Sequence, residues 1–437
     1  MTMANAFGSS DFERLSAAEQ SMITRREKVL GPAYRLFYER PLHFVRGEGV
    51  WLYDAEGNAY LDTYNNVPSV GHSNLAVLEA ATRQAATLNT HTRYLHENVL
   101  AFAEALTSTC PDELSQVMFT CTGSEANDLA VRIARNYTGG SGIIVTAHAY
   151  HGVTSAVAEF SPSLGPNVDL GAHVRTVPAP DPSLPPEGMA GTFAEGVEAA
   201  IADLKRHGIK PAMLILDTIF SSDGVIPGQP GFLKAAVDAI RQAGGIFVAD
   251  EVQPGFGRTG EGMWGFQRHG LVPDLVTIGK PMGNGYPVAG LIARPEVIAD
   301  FGKNARYFNT FGGNPVAAAT GMAVLRFIKE QNLITHSRDV GEYFLDELAS
   351  LSSRFPQLAA IRGAGLFIGA DIEDAGRPSA SLAARIVNGL RERRVLISAS
   401  GPHANVLKVR PPLVFTRGHV DHFMKALKKT MMTCLED

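Results

Sequence analysis

Asp250 and Lys280 each close a short apolar run. Ile246-Phe247-Val248-Ala249 leads into Asp250, and Leu275-Val276-Thr277-Ile278 leads through Gly279 into Lys280. Uninterrupted apolar runs of this length predict strands buried on both faces of a parallel sheet. Ligands of open α/β sheets sit outside the carboxyl ends of the strands. An acid and an amine thirty residues apart can therefore face one ligand. The pair suits pyridoxal phosphate, where a lysine forms a Schiff base and an acid keeps the pyridine nitrogen protonated so that the ring withdraws electrons. Taken alone, the pair fits a strand-end acid and a solvated lysine better; the rest of the chain reverses that balance.

Four stretches bear on the same chemistry. Thr122-Gly123-Ser124-Glu125-Ala126-Asn127 joins a strand to a helix start. Free backbone N–H groups there bind anions, glycine admits close approach, and Ser124 adds a hydroxyl. The motif has no Walker lysine, so a nucleoside triphosphate is not implied; an ordinary serine cap is the plain alternative. Tyr150-His151-Gly152 follows another strand, and Tyr150 can stack on a flat ring or simply pack in the core. Gln253, in Asp250-Glu251-Val252-Gln253, can bond a ring hydroxyl or serve as a polar loop residue. Phe308-Asn309-Thr310-Phe311-Gly312-Gly313-Asn314-Pro315 reads as a loop before a helix, with Thr310 as a further phosphate donor.

The elements that must position these residues alternate. From Val117 the pattern runs strand, helix, strand, with helices at residues 125–137, 193–207 and 231–243 and strands at 117–119, 143–145, 213–216 and 246–249. That alternation predicts an α/β fold with a mostly parallel sheet covered on both faces. Residues 44–62 alternate apolar and polar around a Glu56-Gly57-Asn58 turn and predict a small antiparallel sheet. Residues 1 to about 30 predict an irregular start and a short helix, and the Pro- and Gly-rich stretch 162–191 a long surface excursion. A small α+β unit follows Asn314-Pro315. The expected division is an N-terminal segment of the small domain at 1–62, a large cofactor-binding domain at 63–315 and a C-terminal small domain at 316–437.

Composition narrows the class. The 437 residues are 45% hydrophobic and 19% charged, with net charge −5, which suits a globular enzyme and gives no drive toward nucleic acid or membrane. The first fifteen residues lack the basic start and apolar stretch of a secretory signal. Cys110, Cys121 and Cys434 are too few and too scattered for a disulfide framework or a zinc site, and no metal is expected. A cytoplasmic location is the expectation. Cys121 reads as a small buried residue.

Jointly the pieces TGSEAND, AYHG, ADEVQPGFGRTG, IGKPMGNGYP, FNTFGGNP and IRGAGLF, in that order, resemble the class III aminotransferases, a family of fold type I pyridoxal-phosphate enzymes. The resemblance spans about Gly47 to Leu413. It implies Lys280 as the Schiff-base lysine, Asp250 at the pyridine nitrogen, Gly123 and Ser124 at the cofactor phosphate, Tyr150 on the ring and Gln253 near the ring hydroxyl. It also implies that Thr310 reaches the phosphate of a neighbouring subunit, hence a homodimer with shared active sites.

Other stretches are similar to phospho-lyases of this family that act on phosphoethanolamine or phosphohydroxylysine: Tyr64-Asn65-Asn66-Val67, Gly71-His72, Thr92-Arg93-Tyr94-Leu95-His96 and Leu407-Lys408-Val409-Arg410-Pro411-Pro412. They imply elimination of phosphate from O-phosphoethanolamine, giving acetaldehyde, ammonia and phosphate. An ω-amine or ω-amino-acid aminotransferase and a 5-phosphohydroxylysine phospho-lyase are the alternatives. A substrate phosphate needs cationic partners, because a desolvated dianion without them is costly. Arg93, Lys408 and Arg410 are the candidates, with Asn66, His72 and His96 as neutral helpers. Lys408 and Arg410 share one side of a strand, which also fits plain exposure, and Arg93 also fits an interface ion pair. Arg417 stands where some amine transaminases keep a carboxylate-binding arginine. Asp217 stands where many relatives carry glutamate.

Overall fold

The computed structural model describes residues 5–436. Its centre is a seven-stranded sheet in the spatial order Gln116–Thr120, Ala289–Ala293, Leu275–Ile278, Ile246–Asp250, Pro211–Leu216, Gly142–Thr146, Val174–Val177. The five strands from Leu275–Ile278 to Val174–Val177 pair in parallel. Ala289–Ala293 is antiparallel to both of its neighbours. Two reversals restore the original direction, so Gln116–Thr120 ends on the same edge as the parallel strands. That edge gathers the segments that follow Thr120, Thr146, Leu216, Asp250 and Ile278.

Strand alternation explains why these runs are apolar throughout. Leu214, Leu216, Phe247 and Ala249 pack into one apolar cluster together with helices Pro186–Arg206 and Lys234–Gln242. Met213, Ile215, Ile246 and Val248 pack into a second with helices Gly123–Thr138 and Pro295–Asn304. The central strands Pro211–Leu216 and Ile246–Asp250 are buried at every position, so no polar residue interrupts them before Asp250.

Two smaller sheets flank this layer. Phe44–Glu48, Trp51–Asp54 and Ala59–Asp62 form an antiparallel meander. The Asp54 carboxylate accepts the amides of Glu56 and Asn58 and so shapes the turn. Ala59–Asp62 then pairs in parallel with Val395–Leu396, which ties the beginning of the chain to its end. The other sheet joins Leu358–Ala364, Phe367–Asp374, Val406–Val409 and Ser398–Ser400.

The surface excursion expected at 162–191 is corrected in part. It contains the edge strand Val174–Val177 and the first residues of helix Pro186–Arg206. Strand Ala289–Ala293, helix Pro295–Asn304 and strand Leu358–Ala364 were not anticipated. Of the start expected within residues 1 to about 30, residues 1–4 lie outside the described residues. Ser16 opens helix Ala17–Leu30 with a capping box to Glu19.

Candidate active site

Register brings the opening pair together. Asp250 lies opposite Thr277 on the neighbouring parallel strand, three residues before Lys280. The chain turns at Lys280–Gly283, so the amine rises from the sheet edge next to the acid. The Asp250 side chain is buried and held from three sides. Asn127 Nδ2 donates to Oδ2 at 3.0 Å, the Val252 amide donates to Oδ1 at 3.1 Å, and His151 Nδ1 lies 2.7 Å from Oδ2. The carboxylate is an acceptor, so His151 carries its proton on Nδ1 in this contact. Asn127 also donates to the His151 carbonyl at 2.7 Å, which fixes acid and imidazole as one unit.

Lys280 Nζ lies 6.0 Å from the centroid of the Tyr150 ring. Burial and the Arg410 charge lower its pKa, against the opposing pull of Asp250 and Asp217. An amine pushed toward its neutral form is a better nucleophile and base. Burial, followed by the Asp250 charge, raises the pKa of the Tyr150 phenol.

The anion cradle forms where Gln116–Thr120 gives way to helix Gly123–Thr138. Thr122 Oγ1 accepts the Glu125 amide at 3.1 Å, and the helical ladder begins at Ala126, so the amides of Gly123 and Ser124 have no partner within the helix. Ser124 Oγ accepts the Val153 amide at 3.1 Å, which draws the Tyr150 segment against the cradle. A Cβ on Gly123 would stand 3.1 Å from Val252 Cγ2. A Cβ on Gly152 (φ +143°) would stand 2.5 Å from Ser124 Oγ. Gly123, Ser124, Tyr150, Asp217, Asp250, Gln253 and Lys280 all line one cavity of about 340 Å³, a size usual for small-molecule sites. Cys121 lines it too, half-buried, where a small buried core residue was expected.

Gln253 leads away from this cavity to a second group of charges. Its Nε2 donates to Ser221 Oγ at 2.5 Å, and its Oε1 accepts from Arg410 Nη1. Arg410 lies face-on to Tyr64, with Cζ 4.4 Å from the ring centroid, and its buried Nε has no partner. Lys408 Nζ donates to the Ser221 carbonyl at 2.7 Å. Lys408 is 6% exposed and Arg410 8%. Among the described residues neither forms an ion pair. Burial, then the charge of Arg410, pushes the Lys408 pKa well below the ordinary lysine range, although Asp217 opposes this.

The other expected substrate residues are dispersed. Asn66 is buried beside the cavity residue Val67, with Nδ2 unpartnered. His72 Nε2 lies 2.8 Å from Asp62 Oδ2, and its backbone bonds Gly49, so it braces the N-terminal meander. Arg93 is exposed and stacks over Phe308 at 3.8 Å, and His96 caps helix Glu97–Thr107. Thr310 is exposed and does not line the cavity of its own chain. Arg417 is also exposed, 5.2 Å from the Tyr343 ring centroid. Sequence reasoning missed Asn127, His151 as a partner of Asp250, and Ser221. A buried-side asparagine inside an otherwise apolar helix face was a usable signal for the first. Nothing local marks the other two.

A family model described as aminotransferase class-III matches residues 37–431. The chain belongs to the class III aminotransferase family. Among relatives of this class III enzyme, an alanine–glyoxylate aminotransferase 2-like protein of Drosophila melanogaster is 38% identical, over 97% of this chain and 89% of the relative. The ethanolamine-phosphate phospho-lyase homolog 1 of Caenorhabditis elegans is 33% identical, over 98% of each chain. A phospholyase from Arthrobacter, solved in complex with phosphoethanolamine, superposes with a TM-score of 0.92 at 42% identity, covering 94% of this chain and 99% of the other. The fold is therefore that of the fold type I enzymes, and the cofactor is pyridoxal 5′-phosphate. The residues present fit that group. The glycine-lined helix start suits its phosphate, the braced Asp250 its ring nitrogen, and Lys280 its aldehyde.

Proposed function

We propose that this class III enzyme is a phospho-lyase that eliminates phosphate from O-phosphoethanolamine, giving acetaldehyde, ammonia and phosphate. The observation that carries the reading is the pair Lys408 and Arg410. Two buried cations side by side, with no carboxylate in ion-pair range among the described residues, are costly unless an anion completes them. They adjoin the cofactor cavity through Gln253. Lys408 retains N–H donors beyond the one given to Ser221, Arg410 has an unpartnered Nε, and Asn66 has an unpartnered Nδ2. A phosphate dianion on the substrate supplies the missing charge and acceptors. The Arthrobacter and C. elegans relatives support the same reading.

Pyridoxal phosphate, when bound, supplies the electron sink for the carbon that bears the substrate nitrogen. Lys280 takes the proton from that carbon, which its lowered pKa and burial favour. Asp250, braced by Asn127 and His151, holds the proton of the ring nitrogen. Lys408 and Arg410 hold the phosphate on the neighbouring carbon and stabilise the charge it gains as its C–O bond breaks. Uptake of water by the two-carbon product then yields acetaldehyde and ammonia.

The aminotransferase reading rests on relatives of similar identity that carry that name. An aminotransferase handling a carboxylate needs a cation for it, and Arg417 is exposed on Tyr343. A 5-phosphohydroxylysine substrate would use the same cation pair. We further propose a homodimer. Leu75, Leu78, Tyr94, Leu95, Leu100 and Phe311 are exposed apolar side chains, Leu95 at 95%, around the segments that carry Arg93 and Thr310. The test is to measure phosphate and acetaldehyde from phosphoethanolamine and phosphate from phosphohydroxylysine, beside unphosphorylated ethanolamine. The reading expects phosphate release with phosphoethanolamine preferred. Transfer of an amino group to pyruvate without phosphate release contradicts it.

A further inference from the structure

Resting on the reading above, we propose that Ser221 is a positioning residue for the substrate phosphate, the point from which both cations of the clamp are set. Every polar group of Ser221 is engaged, and the residue is fully buried. Its amide donates to Asp217 Oδ2 at 3.1 Å. Its hydroxyl accepts from Gln253 Nε2 at 2.5 Å and also bonds the Asp217 carboxylate. Its carbonyl accepts from Lys408 Nζ at 2.7 Å and from Ser400 Oγ at 3.4 Å. The carbonyl thus places one cation directly. The hydroxyl places the other through Gln253, because donation from Nε2 to Ser221 turns Oε1 toward Arg410.

The surrounding turn holds Ser221 in place without drawing on the clamp. Asp217 accepts the Ile219 and Ser221 amides. Phe220 (φ +51°) and Val225 (φ +61°) occupy the left-handed region, a conformation that side chains other than glycine rarely adopt. The Val225 amide closes on the Phe220 carbonyl at 3.0 Å, and the Ile226 amide on the Ile219 carbonyl at 2.8 Å. Strain held by several bonds of this kind is a mark of segments that position functional groups. Asp217, at the start of the turn, lines the cofactor cavity. One turn therefore touches the cavity at Asp217 and the anion clamp at Ser221.

Ser221→Ala separates the two roles. It removes the hydroxyl, with its bonds to Gln253 and to the Asp217 carboxylate, and so frees Gln253 and Arg410, but it keeps the carbonyl on Lys408 and the amide on Asp217. The probe is inorganic phosphate, titrated against the holoenzyme and followed by thermal shift and by competition with phosphoethanolamine. The expected result is about tenfold weaker phosphate binding in S221A. KM for phosphoethanolamine should rise in parallel and kcat should fall by up to about tenfold, because Arg410 also stabilises the leaving phosphate, while the visible absorbance of the bound cofactor stays unchanged. Ser400→Ala, which removes the other bond to the Ser221 carbonyl, should leave phosphate binding within about twofold. Equal phosphate binding by S221A and wild type overturns the inference. So does an equal loss in S400A, which shows general loosening of the turn, and so does a wild-type enzyme that binds no phosphate saturably. Phosphate binding that depends on Ser221, in an enzyme that releases no phosphate from phosphoethanolamine, upholds the inference and defeats the lyase reading instead.

Discussion

Lys408→Met should make the protein more stable and worse at holding its substrate. The wild-type ammonium is 6% exposed and is held by one carbonyl, that of Ser221. The Phe367 ring lies 5.7 Å away, and Arg410 repels it. Burying an unpaired cation costs several kcal/mol, and one charge-assisted hydrogen bond returns only about 1.5–3 kcal/mol. Methionine keeps the apolar stem, and the Ser221 carbonyl retains Ser400 Oγ at 3.4 Å. Replacing a buried charge by an apolar side chain of similar shape is often neutral or stabilising, so K408M is expected to gain about 1–2 kcal/mol in anion-free buffer. Loss of a charge-assisted bond to phosphate costs about 1.5–3 kcal/mol, which raises KM for phosphoethanolamine about ten- to a hundredfold. The sign of the pH dependence follows from the lowered pKa. Between that lowered pKa and the ordinary lysine value of 10.5 the unfolded chain binds more protons than the folded one, so wild-type stability climbs with pH there. K408M should flatten the climb. Denaturant unfolding at several pH values, with and without phosphate, and steady-state kinetics measure all of this. A K408M enzyme with unchanged KM, or one destabilised by more than about 1 kcal/mol, refutes the unpaired-cation argument.

Three further outcomes are expected. Gly152→Ala places a Cβ 2.5 Å from Ser124 Oγ at φ +143° and should weaken cofactor retention about tenfold or more, read by dialysis and visible absorbance. Arg417→Ala should leave KM for phosphoethanolamine within about twofold, because the side chain is exposed on Tyr343; a large loss would restore Arg417 as a substrate residue. Burial pushes the Glu251 pKa from 4.5 up to about 8, against the pull of the Gly265 and Phe266 amides and the Thr218 hydroxyl. Between those two values the folded state binds the extra proton, so this group's contribution to stability is present below pH 4.5 and is lost as pH rises toward about 8. Glu251→Gln should remove that downward slope from the stability–pH curve.

The central pair could be found from sequence because strands buried on both faces write themselves as unbroken apolar runs. Ile246–Asp250 and Leu275–Ile278 each do so, and each ends at a chemical residue. Val174–Val177 did not stand out, since it is four residues long and lies at the sheet edge among turns. Ala289–Ala293 did not either: its Ala-Gly-Leu-Ile-Ala sequence has low strand propensity and lies between prolines, and only pairing on both sides makes it a strand. Gly123, Ser124, Tyr150, Gln253 and Lys280, expected at the cofactor, meet in one cavity because each follows a strand at the same sheet edge. The residues proposed for the substrate follow no such rule. Arg410 meets Gln253 across 157 positions, and Lys408 meets Ser221 across 187. Such contacts leave no local period to read. His72, which the phospho-lyase resemblance put forward as a neutral helper, is bonded to Asp62 in the meander.

On the proposed reaction, the carbon–oxygen bond to phosphate breaks and no amino group is passed on. The most direct measurement is phosphate release from phosphoethanolamine by cofactor-loaded enzyme with no keto acid present, followed beyond one equivalent per active site. A phospho-lyase gives continued turnover, with phosphate and acetaldehyde formed in equal amounts and the visible absorbance of the lysine-bound cofactor persisting. Release of no phosphate, with the absorbance bleached after a single equivalent of amine and restored by pyruvate, would contradict it.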